Sequence, residues 1–435
     1  MRKQRFLVIA LILAAAIILP VFASAGEVTQ ITHWSWSNGA CYGAAWELFT
    51  QKHPEYAGIT YTFTSQGGSS QDMMQKIMLS YAAGSEVPDV IEMNFKLNPM
   101  LIESGVAADI TEIIAPYKDK VPEYVWNSAM KDGRMYGIPL RGNSSMMLYR
   151  EDLCTAAGID MTTVKTWDDF FAAGNKFMQY YTARNEDIYW TTISPDKPCN
   201  LWGEIFFGQQ DMGFFDENGE CIVDTDPRAI DALKTIYRIY SEGLSTKLTD
   251  LTPSWYGALS EGKVGCILTA GWMTSIMMQN VPDADGLWRI APYPTFASGK
   301  QSMQGTMGYT ILTTDKKKQE IAARALLETA YDDETCYTLE EKTVTNMSLN
   351  IFMKNPPQSG SFEKLNAFFG GQNVKAVDME LLSNATLHKY TPAFAEVLNI
   401  LNTEMAKAIS DQKTIDEAIA DMGKTIRQQV GLSKY

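Results

Sequence analysis

Residues 73–95 read MMQKIMLSYAAGSEVPDVIEMNF, and this stretch decides the fold. Apolar side chains recur at helical spacing in its first half. Gly84 then permits the left-handed conformation that ends a helix, and Pro88 holds the residue before it extended. A short apolar strand follows and ends at Asn94 and Phe95. Because ligands bind beyond the carboxyl ends of strands in open α/β sheets, Asn94 is predicted to lie at the mouth of a crevice.

The same alternation continues on the N-terminal side of this stretch. Residues 28–34 predict a first strand, residues 44–52 a helix, and residues 59–64 a second strand with alternating β-branched side chains. The order strand, helix, strand, helix, strand predicts a mostly parallel sheet with right-handed crossovers.

Helix-start signals mark the remainder of the chain. Thr166 is predicted to cap one helix, and Asp226 before Pro227 to begin another. Thr414 and Glu417 predict a capping box at the start of the last helix. The length of 435 residues is sufficient for two hydrophobic cores of ordinary size.

The N-terminal sequence and the charge balance indicate an exported protein. Residues 2–5 (RKQR) carry three basic side chains, residues 6–19 are apolar, and Ala23 and Ala25 form an A-x-A site, as in a secretory signal peptide. We expect residues 1–25 to be removed by cleavage near Ala25, leaving a periplasmic or extracellular protein. The 51 acidic and 37 basic residues give a net charge of −14, which argues against nucleic acid or an anionic membrane as the main partner.

The six cysteines leave two interpretations open. They show no C-x-x-C spacing, so a zinc or redox motif is not supported. Export makes disulfides possible, and Cys199 and Cys221, which bracket one loop-rich stretch, form the best candidate pair. The alternative is that the cysteines are buried free thiols in the core.

Motifs of catalysis are mostly missing from the sequence. It contains no G-x-S-x-G, H-E-x-x-H, G-x-G-x-x-G or P-loop motif. Its three histidines, His33, His53 and His388, are far apart and are expected to be structural. We therefore predict no metal and no cofactor. A pair of carboxylates that hydrolyses glycosides stays open, because many pairs of acidic residues are possible.

Tryptophans near predicted strand ends and in loops distinguish this chain. Indole rings suit the C–H face of a pyranose, and amide, carboxylate and guanidinium groups match its hydroxyls. Such groups converge in concave pockets. The tryptophans placed in this way are Trp34, Trp36, Trp202, Trp255 and Trp272. The alternative for each of them is packing in the core.

Several motifs, in a fixed order, resemble those of one family. Residues 83–90 (AGSEVPDV) are similar to its ASGxxPDV segment, and residues 132–139 (DGRMYGIP) to its DGKxYGIP segment. Residues 147–153 (MLYREDL) and 166–170 (TWDDF) resemble its LYYNKDL and TWDEF segments. Residues 261–272 resemble its xGKxAM and GPW segments. Together these segments resemble the extracellular solute-binding proteins of carbohydrate ABC importers, the group that includes the maltose-binding protein.

The resemblance implies a two-lobed periplasmic-binding-protein fold of type II. Each lobe is an α/β unit with a mostly parallel sheet flanked by helices, and a hinge joins the two lobes. By this resemblance, residues 27–139 and 297–345 form lobe one, and residues 140–292 and 346–435 form lobe two.

The resemblance also implies which side chains face the cleft between the lobes. From lobe one, the expected ligand-binding residues are Trp34, Trp36, Asn38, Gln66 and Asn94. From lobe two, they are Asn200, Trp202, Glu204, Gly271 and Trp272. Arg141 and Asn143 are candidates by their position after the crossing segment, and Trp255 by its aromatic ring.

The function implied is capture of a sugar or oligosaccharide between the lobes and its delivery to the membrane subunits of an ABC permease. We expect a monomer that is not an enzyme. Three alternatives stay open: a secreted carbohydrate-active enzyme with a carboxylate pair, a binding protein for a phosphorylated or amino compound, and a structural or adhesive surface protein. A phosphate ester is disfavoured because the sequence shows no basic cluster at the expected mouth, and a surface protein because repeats and an anchor are missing.

Overall fold

The computed structural model describes residues 27–35, 40–67, 70–200, 202–342, 360–383 and 385–433. The expected signal peptide and the site candidates Trp36 and Asn38 lie outside these residues. The strands are β1 (Gln30–Ser35), β2 (Thr60–Ser65), β3 (Val90–Asn94), β4 (Met130–Lys131), β5 (Arg134–Met135), β6 (Ile138–Arg150), β7 (Thr191–Thr192), β8 (Ser245–Thr246), β9 (Cys266–Ala270), β10 (Trp288–Pro292), β11 (Gln301–Ile311) and β12 (Ala385–Leu387).

The helices flank these strands on both sides of the molecule. They are α1 (Ala40–Lys52), α2 (Ser70–Ala82), α3 (Asn98–Glu103), α4 (Thr111–Ile114), α5 (Glu123–Asn127), α6 (Glu151–Ala156), α7 (Trp167–Thr182), α8 (Trp202–Gln209), α9 (Pro227–Ser241), α10 (Pro253–Ser260), α11 (Met273–Asn280), α12 (Lys316–Tyr331), α13 (Asp333–Lys342), α14 (Gly360–Phe368), α15 (Val374–Ser383), α16 (Phe394–Ile409) and α17 (Ile415–Gln429). None of the helices in the described part of the chain combines the length and apolar character needed to cross a bilayer.

The first lobe is built on the β-α-β units predicted from the sequence. β1 pairs with both β2 and β3 in parallel, and β3 is buried along most of its length. β11 then pairs antiparallel with β3, and β6 pairs antiparallel with β11. The carboxyl ends of β1, β2 and β3 consequently lie at one edge of the sheet, as the sequence predicts.

The long strand β6 continues the sheet into the second lobe. Its first half pairs with β11, and its second half pairs antiparallel with β9 on one side and β10 on the other. One eight-stranded sheet therefore passes through both lobes. The second lobe adds the parallel pair β7 and β8, and a parallel bridge between Tyr189 and Val264 connects this pair to the segment before β9.

The predicted α/β fold with two lobes is confirmed, with one correction to its pairing. Parallel pairing holds for β1 with β2 and β3, for β7 with β8 and for β11 with β12. β6 pairs antiparallel with β9, β10 and β11, and β11 also pairs antiparallel with β3, so the sheets are mixed rather than mostly parallel. The residue boundaries assigned to the lobes stay a prediction.

The predicted helix starts are confirmed by their hydrogen bonds. The Thr166 side chain accepts from the Asp169 backbone N–H, and the Asp169 carboxylate accepts from the Thr166 N–H. Thr414 and Glu417 form the same capping box at α17. Asp226 caps α9 by accepting from the backbone N–H of Arg228, with Pro227 as the first helical residue. These local sequence signals act as expected because their partners lie within four residues.

The predicted Cys199–Cys221 disulfide is wrong. Both side chains are free and buried in the hydrophobic core of the second lobe, as are Cys154 and Cys266. Cys336 is also buried, and its Sγ donates a hydrogen bond to the carbonyl oxygen of Thr329 at 3.1 Å. The four free cysteines of the second lobe therefore pack as small apolar side chains, which is the alternative that the sequence left open.

Candidate functional site

A cavity of about 270 Å³ lies in the second lobe, beside the crossing strand β11. Four predicted site residues line it, namely Asn200, Trp202, Trp255 and Trp272. Further lining residues that the sequence did not single out include Ser194, Asp196, Lys197, Asp250, Thr269 and Gln304. The structure thus brings three tryptophans from separate parts of the sequence together with several polar side chains.

The three indole rings differ in their exposure. Trp202, the first residue of α8, and Trp255, in α10, are only 5% and 3% exposed. Trp272 follows β9 and is half-buried, and its Nε1 donates a hydrogen bond to Oε1 of Gln304 at 2.7 Å. The first two rings therefore form walls of the cavity, and Trp272 presents part of its surface to it.

Polar atoms without partners lie among the residues that line this cavity. Nε1 of Trp202 and Nε1 of Trp255 are buried and have no hydrogen-bond partner among the described residues. The same holds for Oγ1 of Thr269 and Oδ1 of Asp250. A buried polar atom without a partner costs free energy, and such atoms in native proteins generally find a protein group, a water molecule or a ligand. The residues that line the cavity thus carry both buried donors and buried acceptors that the described part of the chain does not satisfy.

The carboxylate of Asp250 has a perturbed environment. Its backbone N–H donates to Oγ of Ser194 at 2.7 Å, which holds the loop against the cavity. Burial raises the pKa of Asp250 to about 6, and the nearby charge of Asp196 acts in the same direction. An ionised Asp250 with one unpartnered oxygen is a strong acceptor for a hydroxyl or an N–H group of a ligand.

The predicted site residues of the first lobe lie at the carboxyl ends of neighbouring strands. Trp34, Gln66 and Asn94 are each partly exposed there. Lys76 of α2 lies over the ring of Trp34, with Nζ 4.8 Å from the centroid, and donates to Oε1 of Gln66 at 2.6 Å. Nδ2 of Asn94 donates to Oγ of Ser70 at 3.2 Å. These residues therefore form one partly exposed polar and aromatic edge.

Glu204 lies outside the cavity wall. Its side chain is fully buried, and its Oε2 accepts from Nζ of Lys96 at 3.1 Å and from the hydroxyl of Tyr390 at 3.4 Å. Burial raises the pKa of Glu204, although Lys96 and the hydrogen-bonding groups around the carboxylate act in the opposite direction.

The remaining predicted site residues lie on the strands next to the cavity. Asn143 is buried in β6, and Arg141 belongs to the same strand. Gly271 follows β9, and a Cβ at this position would lie 2.9 Å from Oδ1 of Asp378. This close approach explains why a glycine directly precedes Trp272.

Several residues that shape the cavity and the first-lobe edge could not be identified from the sequence. Asp250 lies five residues before Trp255, and proximity to that tryptophan was the only hint. Lys76, Lys197 and Gln304 belong to a helix, a loop and a crossing strand that are distant in sequence. The sequence shows no basic cluster at the expected mouth, but single lysines lie at both places: Lys76 against Trp34, and Lys197 in the cavity wall.

Two of the histidines are buried in the cores. Burial lowers the pKa of His33 and of His388 to about 3, so both imidazoles are neutral at ordinary pH. Among the described residues, no group of three or more His, Cys, Asp and Glu side chains is arranged to hold a metal ion.

The sequence of this chain matches the family model of the bacterial extracellular solute-binding protein over residues 38–335. An arabinooligosaccharide-binding protein from Halalkalibacterium halodurans is 26% identical over 397 residues, which cover 87% of this chain and 83% of the relative. A lactose-binding protein from Rhizobium radiobacter is 26% identical over 427 residues, or 92% of this chain and 95% of the relative.

Solved structures share the fold. The galacto-N-biose- and lacto-N-biose I-binding protein of an ABC transporter from Bifidobacterium longum, in complex with lacto-N-biose, aligns with a TM-score of 0.76 at 19% identity. The alignment covers 94% of this chain and 99% of that protein. Maltose-bound MalE3 of T. maritima aligns with a TM-score of 0.69 at 18% identity, covering 92% of this chain and 100% of that protein. The family match spans well over half of the sequence, so this chain belongs to the bacterial extracellular solute-binding proteins.

Proposed function

We propose that this protein captures a sugar or oligosaccharide in the cavity of the second lobe and delivers it to the membrane subunits of an ABC permease. The observation that carries the proposal is the cavity itself, where three indole rings lie among buried donors and acceptors without partners. Aromatic faces and convergent polar groups are the complement of a polyhydroxylated ring. The names of the relatives, which bind arabinooligosaccharides and lactose, agree with a short oligosaccharide.

The ligand contacts divide between the lobes. In the second lobe we assign Asn200, Trp202, Trp255 and Trp272, together with Asp250. In the first lobe we assign the edge formed by Trp34, Gln66 and Asn94, with Trp36 and Asn38 following it in sequence. Arg141 stays a candidate contact by its position in β6. Asn143, Glu204 and Gly271 lie on or beside elements next to the cavity or between the lobes, and we assign them a supporting role there. The lobes meet near residue 140 in β6 and near residue 297 before β11.

Binding and lobe closure are coupled in this proposal. A sugar that touches both lobes only when they are close together binds the closed form more tightly than the open form. It therefore shifts the equilibrium by the difference between these two affinities. The closed form is then the shape presented to the permease. The predicted signal peptide places this monomer outside the cytoplasmic membrane, with cleavage near Ala25.

The protein binds its sugar without altering it. Asp196 and Asp250 both line the cavity, so a carboxylate pair is present in the place where a glycosidase would need one. The family to which the chain belongs consists of binding proteins, which favours binding alone. Incubation with arabinotriose and lactose, followed by an assay for new reducing ends, checks this point. Release of monosaccharide at a rate that Asp250→Asn abolishes would establish an enzyme instead.

Isothermal titration of the mature protein tests the ligand class. The panel contains arabinotriose, lactose, maltotriose, glucose 6-phosphate and glucosamine, with tryptophan fluorescence as a second signal. We expect saturable binding of at least one neutral oligosaccharide. Trp272→Ala should weaken this binding about tenfold, because loss of one stacked ring removes on the order of 1.4 kcal/mol.

Trp46→Ala is the matched control for this experiment. Trp46 is also partly buried, but it stacks on Tyr61 in the first lobe, with ring centroids 4.9 Å apart. Its loss should leave the sugar affinity unchanged while circular dichroism reports a folded protein. Absence of binding by every neutral sugar, or binding of the phosphate ester or the amino sugar alone, would refute the carbohydrate assignment.

A further inference from the structure

An ion pair joins the two lobes outside the cavity. Nζ of Lys96 lies 3.1 Å from Oε2 of Glu204, and the two side chains are 12% and 0% exposed. The hydroxyl of Tyr390 also reaches Oε2, at 3.4 Å, and Nζ of Lys96 lies 5.5 Å from the ring centroid of Phe394. We refer to Lys96 and Glu204 as the interlobe ion pair.

The two members of the interlobe ion pair have sequence neighbours in different hydrophobic cores. Lys96 follows β3, between Phe95 and Leu97, whose side chains are buried in the cores of the first lobe. Glu204 lies in α8 next to Ile205, which is buried in the core of the second lobe. Movement of one lobe relative to the other therefore acts directly on the distance between Nζ and Oε2.

Burial makes this ion pair sensitive to the loss of either partner. A buried charge without its partner is strongly unfavourable, whereas replacing both charges by uncharged groups of similar size is often neutral. In an open form, water reaches both groups, so neither of them is a buried charge without a partner. Removing one partner should therefore favour the open form, and removing both should restore the closed form.

The lobes also meet at Trp272, which lines the cavity. Nε1 of Trp272, in the second lobe, donates a hydrogen bond to Oε1 of Gln304 at 2.7 Å. Gln304 belongs to β11, which pairs with β3 of the first lobe. Movement of one lobe relative to the other therefore also acts on this hydrogen bond and on the exposure of Trp272.

We propose that the Lys96–Glu204 ion pair holds the two lobes together and thereby keeps the indole of Trp272 in its position against the cavity. Both residues are positioning residues, since neither lines the cavity. The proposal rests on the proposed function only in taking Trp272 as a ligand contact. The part that concerns the lobes needs no ligand.

Four variants of the full mature chain test the proposal: Lys96→Met, Glu204→Gln, the double variant with both changes, and Lys318→Met. Lys318→Met is the matched control, because Nζ of Lys318 lies 3.1 Å from the nearly buried Asp89 within the first lobe. Small-angle X-ray scattering without ligand measures the radius of gyration. Acrylamide quenching, compared with Trp272→Phe versions of each protein, isolates the exposure of Trp272.

Each single change should increase the radius of gyration and make Trp272 more accessible to acrylamide. The double variant should return both quantities toward the wild-type values. Titration with the sugar that the panel identifies should give about tenfold weaker binding for each single variant, since the apparent affinity falls with the closed fraction. The double variant should differ from wild type by less than about threefold. Lys318→Met should lower thermal stability without changing the radius of gyration.

Folded single variants with an unchanged radius of gyration and unchanged quenching would overturn the proposal. A double variant that stays as open as the single variants would do the same, because general loss of packing would then explain the effect. If no sugar of the panel binds, the scattering and quenching results still decide this inference, so its failure is separate from failure of the proposed function.

Discussion

Asp250 shows how a single side chain can be prepared for a ligand at a cost to stability. Its carboxylate is largely buried, one of its oxygens has no partner in the described part of the chain, and its pKa is raised to about 6 from an ordinary value of 3.8. Tryptophans form the walls of the same cavity. A group that the fold alone does not satisfy is typical of a binding site.

The raised pKa of Asp250 predicts a specific dependence of stability on pH. Above about pH 6 the group is ionised in both the folded and the unfolded states, and burial then destabilises the folded state. Below about pH 3 it is mostly protonated in both states, and this cost disappears. Asp250→Asn should therefore raise the free energy of unfolding by about 2 kcal/mol at pH 7.5 and leave it nearly unchanged at about pH 3.

Denaturant unfolding of the ligand-free protein at the two pH values measures this difference. Asp283→Asn, at an exposed aspartate, is the control and should have little effect at either pH. Equal stability of wild type and Asp250→Asn at pH 7.5 would contradict the assignment of a buried carboxyl with a raised pKa.

At the level of elements, the pairing of the crossing strand β11 with β6 requires the two backbones to lie very close together at Gly308. The strand lies between β3 and β6, and its register with β6 shifts between Met307 and Gly308. A Cβ at position 308 would lie 2.0 Å from the carbonyl oxygen of Ile138 and 2.7 Å from Cζ of the buried Phe95. The carbonyl of Ile138 belongs to β6 and cannot move away without disturbing the pairing of β6 with β11.

Gly308→Ala should therefore lower the free energy of unfolding by about 3 kcal/mol, in the upper part of the range for overpacked cores. Gly58→Ala is the control, because a Cβ there has no neighbour within 4 Å. Its effect should stay within about 0.5 kcal/mol. Chemical denaturation of both variants checks the difference, and similar stability of the two would show that β11 tolerates a side chain at this position.

At the level of the whole molecule, the two lobes are not separate folding units in the usual sense. The eight-stranded sheet passes from one lobe to the other through β6, and β11 contributes to both the first-lobe sheet and the cavity. The interlobe ion pair adds a second connection. Unfolding of either lobe would remove strand partners from the other.

Differential scanning calorimetry should consequently show one cooperative transition for the ligand-free protein, with equal calorimetric and van't Hoff enthalpies. A sugar present at about 100 times its dissociation constant should add about 2.7 kcal/mol to the free energy of unfolding and raise the midpoint temperature of the transition. Two resolved transitions without ligand would show that the lobes unfold independently. If a sugar binds in the titration but leaves the midpoint temperature unchanged, the idea that this sugar binds the folded state in preference to the unfolded state would be contradicted.

Short-range features could be predicted from the sequence because their determinants lie within a few residues of one another. The cap of α7 by Thr166, the capping box at Thr414 and the extended segment before β3 all follow from local chemistry. The positions of Trp34 and Asn94 at strand ends follow from the alternation of strand and helix. The motifs shared with one family added the second lobe, which the alternation alone did not imply.

Features that depend on residues far apart in the chain were decided only by the tertiary structure. Antiparallel pairing of β6 and β11, the free thiols of Cys199 and Cys221, and the position of Gln304 beside Trp272 arise where distant segments meet. By itself, the sequence determined the helices and strands, the strand-end residues and the family. Which side chains share a cavity, and which charges meet between the lobes, depended on packing, because burial and contact are properties of the assembled cores and not of any local segment.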